Sequence, residues 1–227
     1  MGDANFVIAA TGLAAEARIA ARSGNVTAVA AGGDEARLIE LIEHSLVRGA
    51  RGIISFGIAG GLRPGFAPGT CIVGTNVNFQ GQSYPVDAQW SNRIAGILSH
   101  VECGTVAGTR LAIAEPSDKK ALHDATGAIS VDMESHVVAR IATERGLPFA
   151  ILRVIADPAD QRLPPAAANG LKPDGRPDVV AVVKSLSSEP GQLPDLLRIA
   201  IYTRRAMASL FRCHRLLGPG LGFVDLS

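Results

Sequence analysis

The chain has 227 residues, 47% of them hydrophobic and 19% charged, with 22 Lys and Arg against 21 Asp and Glu. That length and apolar content suit one domain with a sizeable core and exclude a disordered chain. The near-zero net charge offers no electrostatic footprint for nucleic acid. Cys71, Cys103 and Cys213 lie far apart in sequence and in no Cys/His ligand spacing, which argues against a disulfide framework or a zinc site and implies reduced, mostly buried thiols.

No apolar run reaches the roughly 18 residues that a membrane-spanning helix requires. The stretch Phe6 to Ala15 is apolar, but Asp3 precedes it in place of a basic cluster, and Glu16 and Arg18 follow it. It reads as a buried first strand with its following turn, in a cytoplasmic chain, rather than as a secretion signal.

Short apolar runs then alternate with helical patterns, which points to an α/β domain. Strands are expected at Asn5 to Thr11 and Val26 to Ala31, and Asp34 is placed to cap a helix bearing Leu38, Leu41, Ile42 and Leu46. Gly52 to Phe56 reads as a buried strand ending in a glycine-rich turn, Gly57 to Gly61. Further strands are expected at Gly69 to Val77 and Cys103 to Gly108, with a helix around Asn92 to His100 between them. Glu134 to Gly146 has helical spacing and stops at Gly146-Leu147-Pro148; Phe149 to Ala156 is a continuous apolar strand except for Arg153, and Asp157-Pro158 ends it. Leu163 to Pro177 reads as a loop and Asp178 to Leu186 as a helix.

Residues 1–190 read as the catalytic domain and 191–227 as a basic, amphipathic helical extension packed on it. The extension carries Arg198, Arg204, Arg205, Arg212 and Arg215 against Asp195 and Asp225, a net of +3 where the preceding residues sum to −2. Such a helix can lie on an anionic membrane surface, and its deletion is expected to leave a folded core.

Two carboxylates should converge. A helix of about 12 residues and a returning strand of about 7 travel similar distances in opposite directions, so Glu134 and Asp157 should share one edge of the sheet. That carboxyl edge is where open α/β sheets bind ligands. The Gly57 to Gly61 segment should open onto it, its glycines letting backbone N–H groups approach a sugar or an anion.

The segments Ser55-Phe56-Gly57-Ile58-Ala59-Gly60-Gly61-Leu62, Val131-Asp132-Met133-Glu134-Ser135 and Arg153-Val154-Ile155-Ala156-Asp157-Pro158-Ala159-Asp160 resemble, in order and spacing, the three motifs of the purine nucleoside phosphorylase and methylthioadenosine/S-adenosylhomocysteine nucleosidase superfamily. Gly12-Leu13-Ala14-Ala15-Glu16-Ala17-Arg18 and the Arg-rich tail are similar to its hopanoid-biosynthesis branch, whose members remove adenine from adenosylhopane. The resemblance implies a three-layer α/β/α sandwich with a mixed central sheet, no metal or organic cofactor, and a homo-oligomer. The implied substrate is an adenosine with a lipid tail, handled in the cytoplasm or at the inner face of the membrane.

Carried over to these positions, Asp157 would protonate purine N7 and Glu16 would orient or activate the attacking water. Glu134 would accept hydrogen bonds from the ribose 2′ and 3′ hydroxyls, Met133 would pack on the sugar, and Ala59 and Gly60 would line its site. Asp132 and Leu111 would complete the substrate contacts. Phosphate is an alternative nucleophile, for which Arg18 and Arg153, with Arg110, are the candidate ligands. Two positions depart from the pattern: Ile58 stands where the nucleosidases commonly carry a small hydroxyl residue, and Thr109-Arg110-Leu111 stands where they tend to place a purine-stacking aromatic. A conventional phosphorylase or methylthioadenosine nucleosidase, and a non-catalytic nucleoside- or lipid-binding protein, remain the competing readings.

Overall fold

The computed structural model describes residues 5–168 and 170–223; Asp3 and Asp225 lie outside them. In chain order the elements are β1 (Val7–Thr11), α1 (Ala14–Ala20), β2 (Val26–Ala30), α2 (Glu35–Leu46), β3 (Gly52–Gly61), β4 (Cys71–Phe79), β5 (Gln82–Pro85), α3 (Ala88–Ile97), β6 (Val101–Gly108), α4 (Pro116–Thr126), β7 (Ser130–Asp132), α5 (Ser135–Arg145), β8 (Phe149–Asp157), α6 (Pro165–Ala168), α7 (Val179–Ser188) and α8 (Leu193–Leu217).

The strands form one mixed sheet. β1 runs parallel to β2 and β3, β3 parallel to β8, and β4 antiparallel to β8 and parallel to β6. β5 pairs antiparallel with β4 at the edge. β7 pairs parallel with β6 and antiparallel with β3 at Gly60 and Gly61. The pairings β3–β8–β4–β6–β7–β3 thus close a ring, which curls the sheet and brings the ends of β3, β7 and β8 together.

Side-chain alternation along the strands feeds two cores. Ile8, Ile53 and Ile151 pack with Leu38 and Ile42 of α2 and with Val138 and Ile141 of α5. Val7, Ile54, Phe56, Leu152 and Val154 pack on the opposite face with Ala20 of α1, Trp90 and Ile94 of α3, and Ala206, Leu210 and Leu217 of α8. Helices on both faces of a mixed sheet make the three-layer sandwich. Local signals place their ends: Asp34 accepts from the Arg37 amide at 3.0 Å, and Gly146 closes α5 in the left-handed region at φ 64°.

Several expectations change. Gly57 to Gly61 is the second half of β3, not a turn, because β8 pairs with it as far as Asp157. The turn after β1 continues into α1, and the 163–177 loop contains α6. α8 supplies part of the second core: besides its apolar residues, His214 Nε2 lies 3.0 Å from Ser23 Oγ. Just past it, Leu221 O accepts from Trp90 Nε1 at 3.0 Å. Removing residues 191–227 would therefore open one of the two cores. Cys71 and Cys213, far apart in sequence, are free thiols with sulfurs 3.2 Å apart, whereas Cys103 is exposed. No helix among the described residues is long and apolar enough to cross a membrane.

Candidate active site

A cavity of about 360 Å³ opens where the carboxyl ends of β3, β7 and β8 meet. Gly12, Glu16, Ile58, Ala59, Gly60, Asp132, Met133, Glu134 and Asp157 all line it. α6, the strand-like residues Leu171 and Pro177, and Ile199 and Thr203 of α8 cover it from the other side. Chain segments nearly 200 residues apart in sequence thus share one chamber.

Glu16 sits on α1 with its carboxylate turned back on the helix start. Its Oε2 accepts from the Gly12 and Leu13 amides at 3.0 and 2.8 Å, and its Oε1 from the Ile58 amide at 2.7 Å. This approach explains Gly57, where a Cβ would stand 2.7 Å from the Glu16 carboxylate. Burial pushes the Glu16 carboxyl up, against the pull of Arg153 and the three amides.

Glu134 ends the β7–α5 connection and is buried. A Cβ on Gly12 would stand 2.7 Å from its Oε1, while its Oε2 accepts from Arg153 Nη2 at 3.1 Å. Burial raises its carboxyl to about 7, with Asp132 and Glu16 adding to the shift and Arg153 opposing it. Met133 beside it reaches Gly33, where a Cβ would meet its Cε at 2.7 Å; the glycine's φ of +85° fits that position as well.

Arg153 follows from strand alternation: it shares its face with Phe149 and Ile151, so it points towards α5 and not into the opposite core. Its side chain is fully buried, with Nε 2.9 Å from Asp132 Oδ2 and Nη2 2.6 Å from Ser55 Oγ. Asp132 is itself turned inward, accepting from the Glu134 and Ser135 amides at 3.0 and 2.7 Å at the start of α5. The guanidinium therefore braces the carboxylates from below.

Asp157, at the end of β8, has a partner that sequence reasoning missed. Lys119 of α4, wholly buried, places Nζ 2.6 Å from Asp157 Oδ2. Burial raises the Asp157 carboxyl and the Lys119 ammonium opposes it. α4 escaped notice because its start, Glu115-Pro116-Ser117-Asp118-Lys119-Lys120, is polar and mostly charged, with no apolar periodicity. The usable signal was Leu122 three positions on, which puts Lys119 on the buried face.

Three assignments are corrected by position. Leu111 is 76% exposed and outside the cavity, because Thr109 Oγ1 donates to the Leu111 carbonyl and folds a turn that leaves Ala112 and Ile113 lining it. Arg18 is exposed and outside the cavity, and Arg153 is enclosed by Asp132, Glu134 and Ser55, so neither guanidinium faces a phosphate in the chamber. Arg110 instead pairs with Glu35 at 2.9 Å. No Lys, Arg or aromatic side chain is among the described lining residues.

The three carboxylates thus converge on one chamber at the carboxyl edge of the sheet. Residues 6–173 match the model of the phosphorylase superfamily, and the chain belongs to that family. Among solved structures, it is similar to the 5′-methylthioadenosine/S-adenosylhomocysteine nucleosidase of Streptococcus pneumoniae bound to the transition-state inhibitor MT-ImmA. The TM-score is 0.64 and the identity 15%, over 93% of this chain and 99% of that one. A Helicobacter pylori nucleosidase variant with 5′-methylthioadenosine in its active site gives a TM-score of 0.63 and 15% identity, over 94% and 98% of the two chains. The S-adenosylhomocysteine nucleosidase of Streptococcus pyogenes, in complex with 5-methylthiotubericidin, gives 0.62 and 17%, over 93% and 97%. No curated protein sequence matches the chain significantly.

Proposed function

We propose that this protein hydrolyses the N-glycosidic bond of a 5′-substituted adenosine with a long apolar tail, releasing adenine, and that adenosylhopane, implied by the sequence resemblance, is that substrate. The supporting observation is a single chamber that holds Glu16, Glu134 and Asp157 and is otherwise largely apolar, with Ile113, Leu163, Leu171, Pro177 and Ile199 in its wall. Leu171 is 37% exposed, and Val179, Val180 and Val183 of α7 and Leu193, Leu197 and Ile201 of α8 are exposed apolar side chains as well. Exposed apolar side chains in that number suit a substrate with a hydrocarbon tail better than a small soluble nucleoside.

Cleavage builds positive charge on the ribose and negative charge on the purine. The Asp157 carboxyl gives its proton to N7 as the C1′–N9 electron pair passes to the base. Glu134 accepts from the ribose hydroxyls and steadies the oxocarbenium-like sugar. Water adds to C1′ and passes a proton to Glu16. Water is favoured over phosphate because no cationic side chain among the described residues lines the cavity.

Adenine release from adenosylhopane and from methylthioadenosine, each with and without phosphate, tests the reading. Release from the tailed substrate, independent of phosphate, is expected; release from methylthioadenosine alone returns the chain to ordinary nucleoside salvage. Leu171→Glu should lower kcat/KM for the tailed substrate about tenfold more than for methylthioadenosine, since a lost apolar contact of roughly 1.5 kcal/mol is about tenfold. Equal losses on both substrates would remove Leu171 from the tail path.

Recognition of the ribose should depend on pH through Glu134. Its carboxyl, raised to about 7, must be ionised to accept from both hydroxyls. Affinity for the nucleoside is therefore expected to rise about ninefold from pH 6 to pH 8, as the carboxylate fraction grows from about a tenth to about nine tenths. Calorimetry on an Asp157→Asn background checks this, and Glu134→Gln should flatten the dependence.

The arginines and apolar residues on the outer side of α8 support a peripheral contact with anionic membrane. Leu197→Glu with Ile201→Glu should abolish sedimentation with anionic liposomes and leave the fold intact; unchanged sedimentation sinks that contact.

A further inference from the structure

We infer that Lys119 is a positioning residue for leaving-group departure: its ammonium fixes the Asp157 carboxyl at the base and stabilises the carboxylate that remains once the proton has passed to the purine. The inference rests on the adenosine-cleaving reading above and adds a residue that the three motifs do not contain.

Geometry carries it. Lys119 is fully buried on α4, where an unpartnered ammonium would be costly. Its three donors are matched by three acceptors: Asp157 Oδ2 at 2.6 Å, the Pro158 carbonyl at 3.0 Å and the Gln161 carbonyl at 2.9 Å. The loop after β8 is thereby wrapped around one cation, and Leu163 N to Ala114 O at 2.9 Å and Arg162 to Glu115 at 2.8 Å fasten it to the start of α4. One carboxylate oxygen is committed to Lys119, so the other is left to serve the cavity that Asp157 lines.

The surroundings make the ammonium the charge that matters. β3 presents Gly60 to Asp157, with a Cβ position 3.1 Å from its Oδ2 that is also 3.1 Å from Val131 of β7. Neither residue is charged, and the loop contributes carbonyls. Glu16, Glu134 and Arg153 act on one another rather than on Asp157. Lys119 thus opposes the burial that would otherwise leave Asp157 too weak an acid to release its proton.

The step balances. Asp157 loses a proton to N7, the C1′–N9 pair moves to the base, and the new carboxylate faces an ammonium already in place. Lys119 transfers nothing; it stabilises the product of the transfer more than its reactant, which is what lowers a barrier.

Lys119→Met and Lys119→Arg, compared with the wild type, test this through the pH profile of kcat/KM for adenine release. Loss of the ammonium should cut the plateau about 100-fold and move the alkaline limb upward, because Asp157 then keeps its proton to higher pH. Lys119→Arg, which retains the charge, should keep the wild-type limb. A packing role would lower the plateau and leave the limb in place, and that result overturns the inference. If Lys119→Met does not fold, Lys119→Gln makes the same comparison while keeping polar contact with the loop. Independently of turnover, the 13C-carboxyl resonance of Asp157, assigned by its loss in Asp157→Asn, should titrate at higher pH without the ammonium; an unmoved titration overturns the inference as well. A wild-type chain that releases no adenine from any adenosine overturns the nucleosidase reading and Lys119's part in it together, whereas turnover with an unmoved limb removes Lys119 alone.

Discussion

Asp157→Asn should lower kcat for adenine release by about 10³-fold, within the usual range for loss of a general acid, while substrate affinity changes only a few-fold. The two outcomes separate because asparagine keeps the shape of the side chain. Its carbonyl oxygen can still accept from Lys119, which also retains the Pro158 and Gln161 carbonyls, and its amide can still donate to N7. What it lacks is a proton to surrender as the base departs. Adenine release followed by chromatography and binding followed by calorimetry would report the two quantities. Release within tenfold of the wild type would refute Asp157 as the proton donor, and a matching collapse of affinity would recast it as a binding residue.

The second large effect concerns stability. Arg153→Met is expected to lower the melting temperature by on the order of 10 °C at pH 8. Removing one partner from a buried ion pair costs about 3–5 kcal/mol, and each kcal/mol shifts a domain of this size by roughly 2–4 °C. Arg153 contacts Asp132, Glu134 and Ser55 at once, at 2.9, 3.1 and 2.6 Å, so the substitution leaves two largely buried carboxylates without their counter-charge.

The sign of the pH dependence follows from the same contacts. Glu134 and Glu16 are already raised by burial, and Arg153 is the group that opposes the rise in both. Without it they rise further, and a carboxyl raised by folding stabilises at low pH and loses that contribution as pH climbs through its folded value. The deficit of the variant should therefore be smaller at pH 6 than at pH 8. A deficit independent of pH, measured by calorimetric melting, would mean that lost packing and not stranded charge sets the cost.

Much of the scaffold was legible because it is local. Asp34 and Gly146 bound their helices through side-chain capping and left-handed closure, and Phe149 to Asp157 reads as buried because nearly every residue in it is apolar. The convergence of Glu134 and Asp157 on one edge also followed from element lengths. The rest depended on what the chain meets elsewhere. Gly57 to Gly61 looks like a turn, yet its missing side chains make room for Glu16 and Asp157 beside an ordinary strand. β7 spans three residues, too few for a periodic signal. Lys119 is a charge inside a charged run, and nothing local distinguishes a buried lysine from a solvated one. Leu111 and Ile113 are both aliphatic, and which of them turns inward depends on a turn that Thr109 fastens to Asp132 and to the Leu111 carbonyl.

The position of β8 bears on how the protein is made. It is the last strand to leave the ribosome, yet it lies between β3 and β4, pairing with both. Without β8 the remaining strands can pair only as β2–β1–β3 and β5–β4–β6–β7, joined by the two residue pairs of β3 and β7. At about 5–20 residues per second, the stretch from β4 to β8 takes several seconds to synthesise. For that interval β3 and β4 lack the partner that covers their edges in the finished sheet, which is expected to leave them open to pairing with another nascent chain. Yield in the cell should accordingly follow translation speed and holdase chaperone supply more closely than the stability of the finished protein.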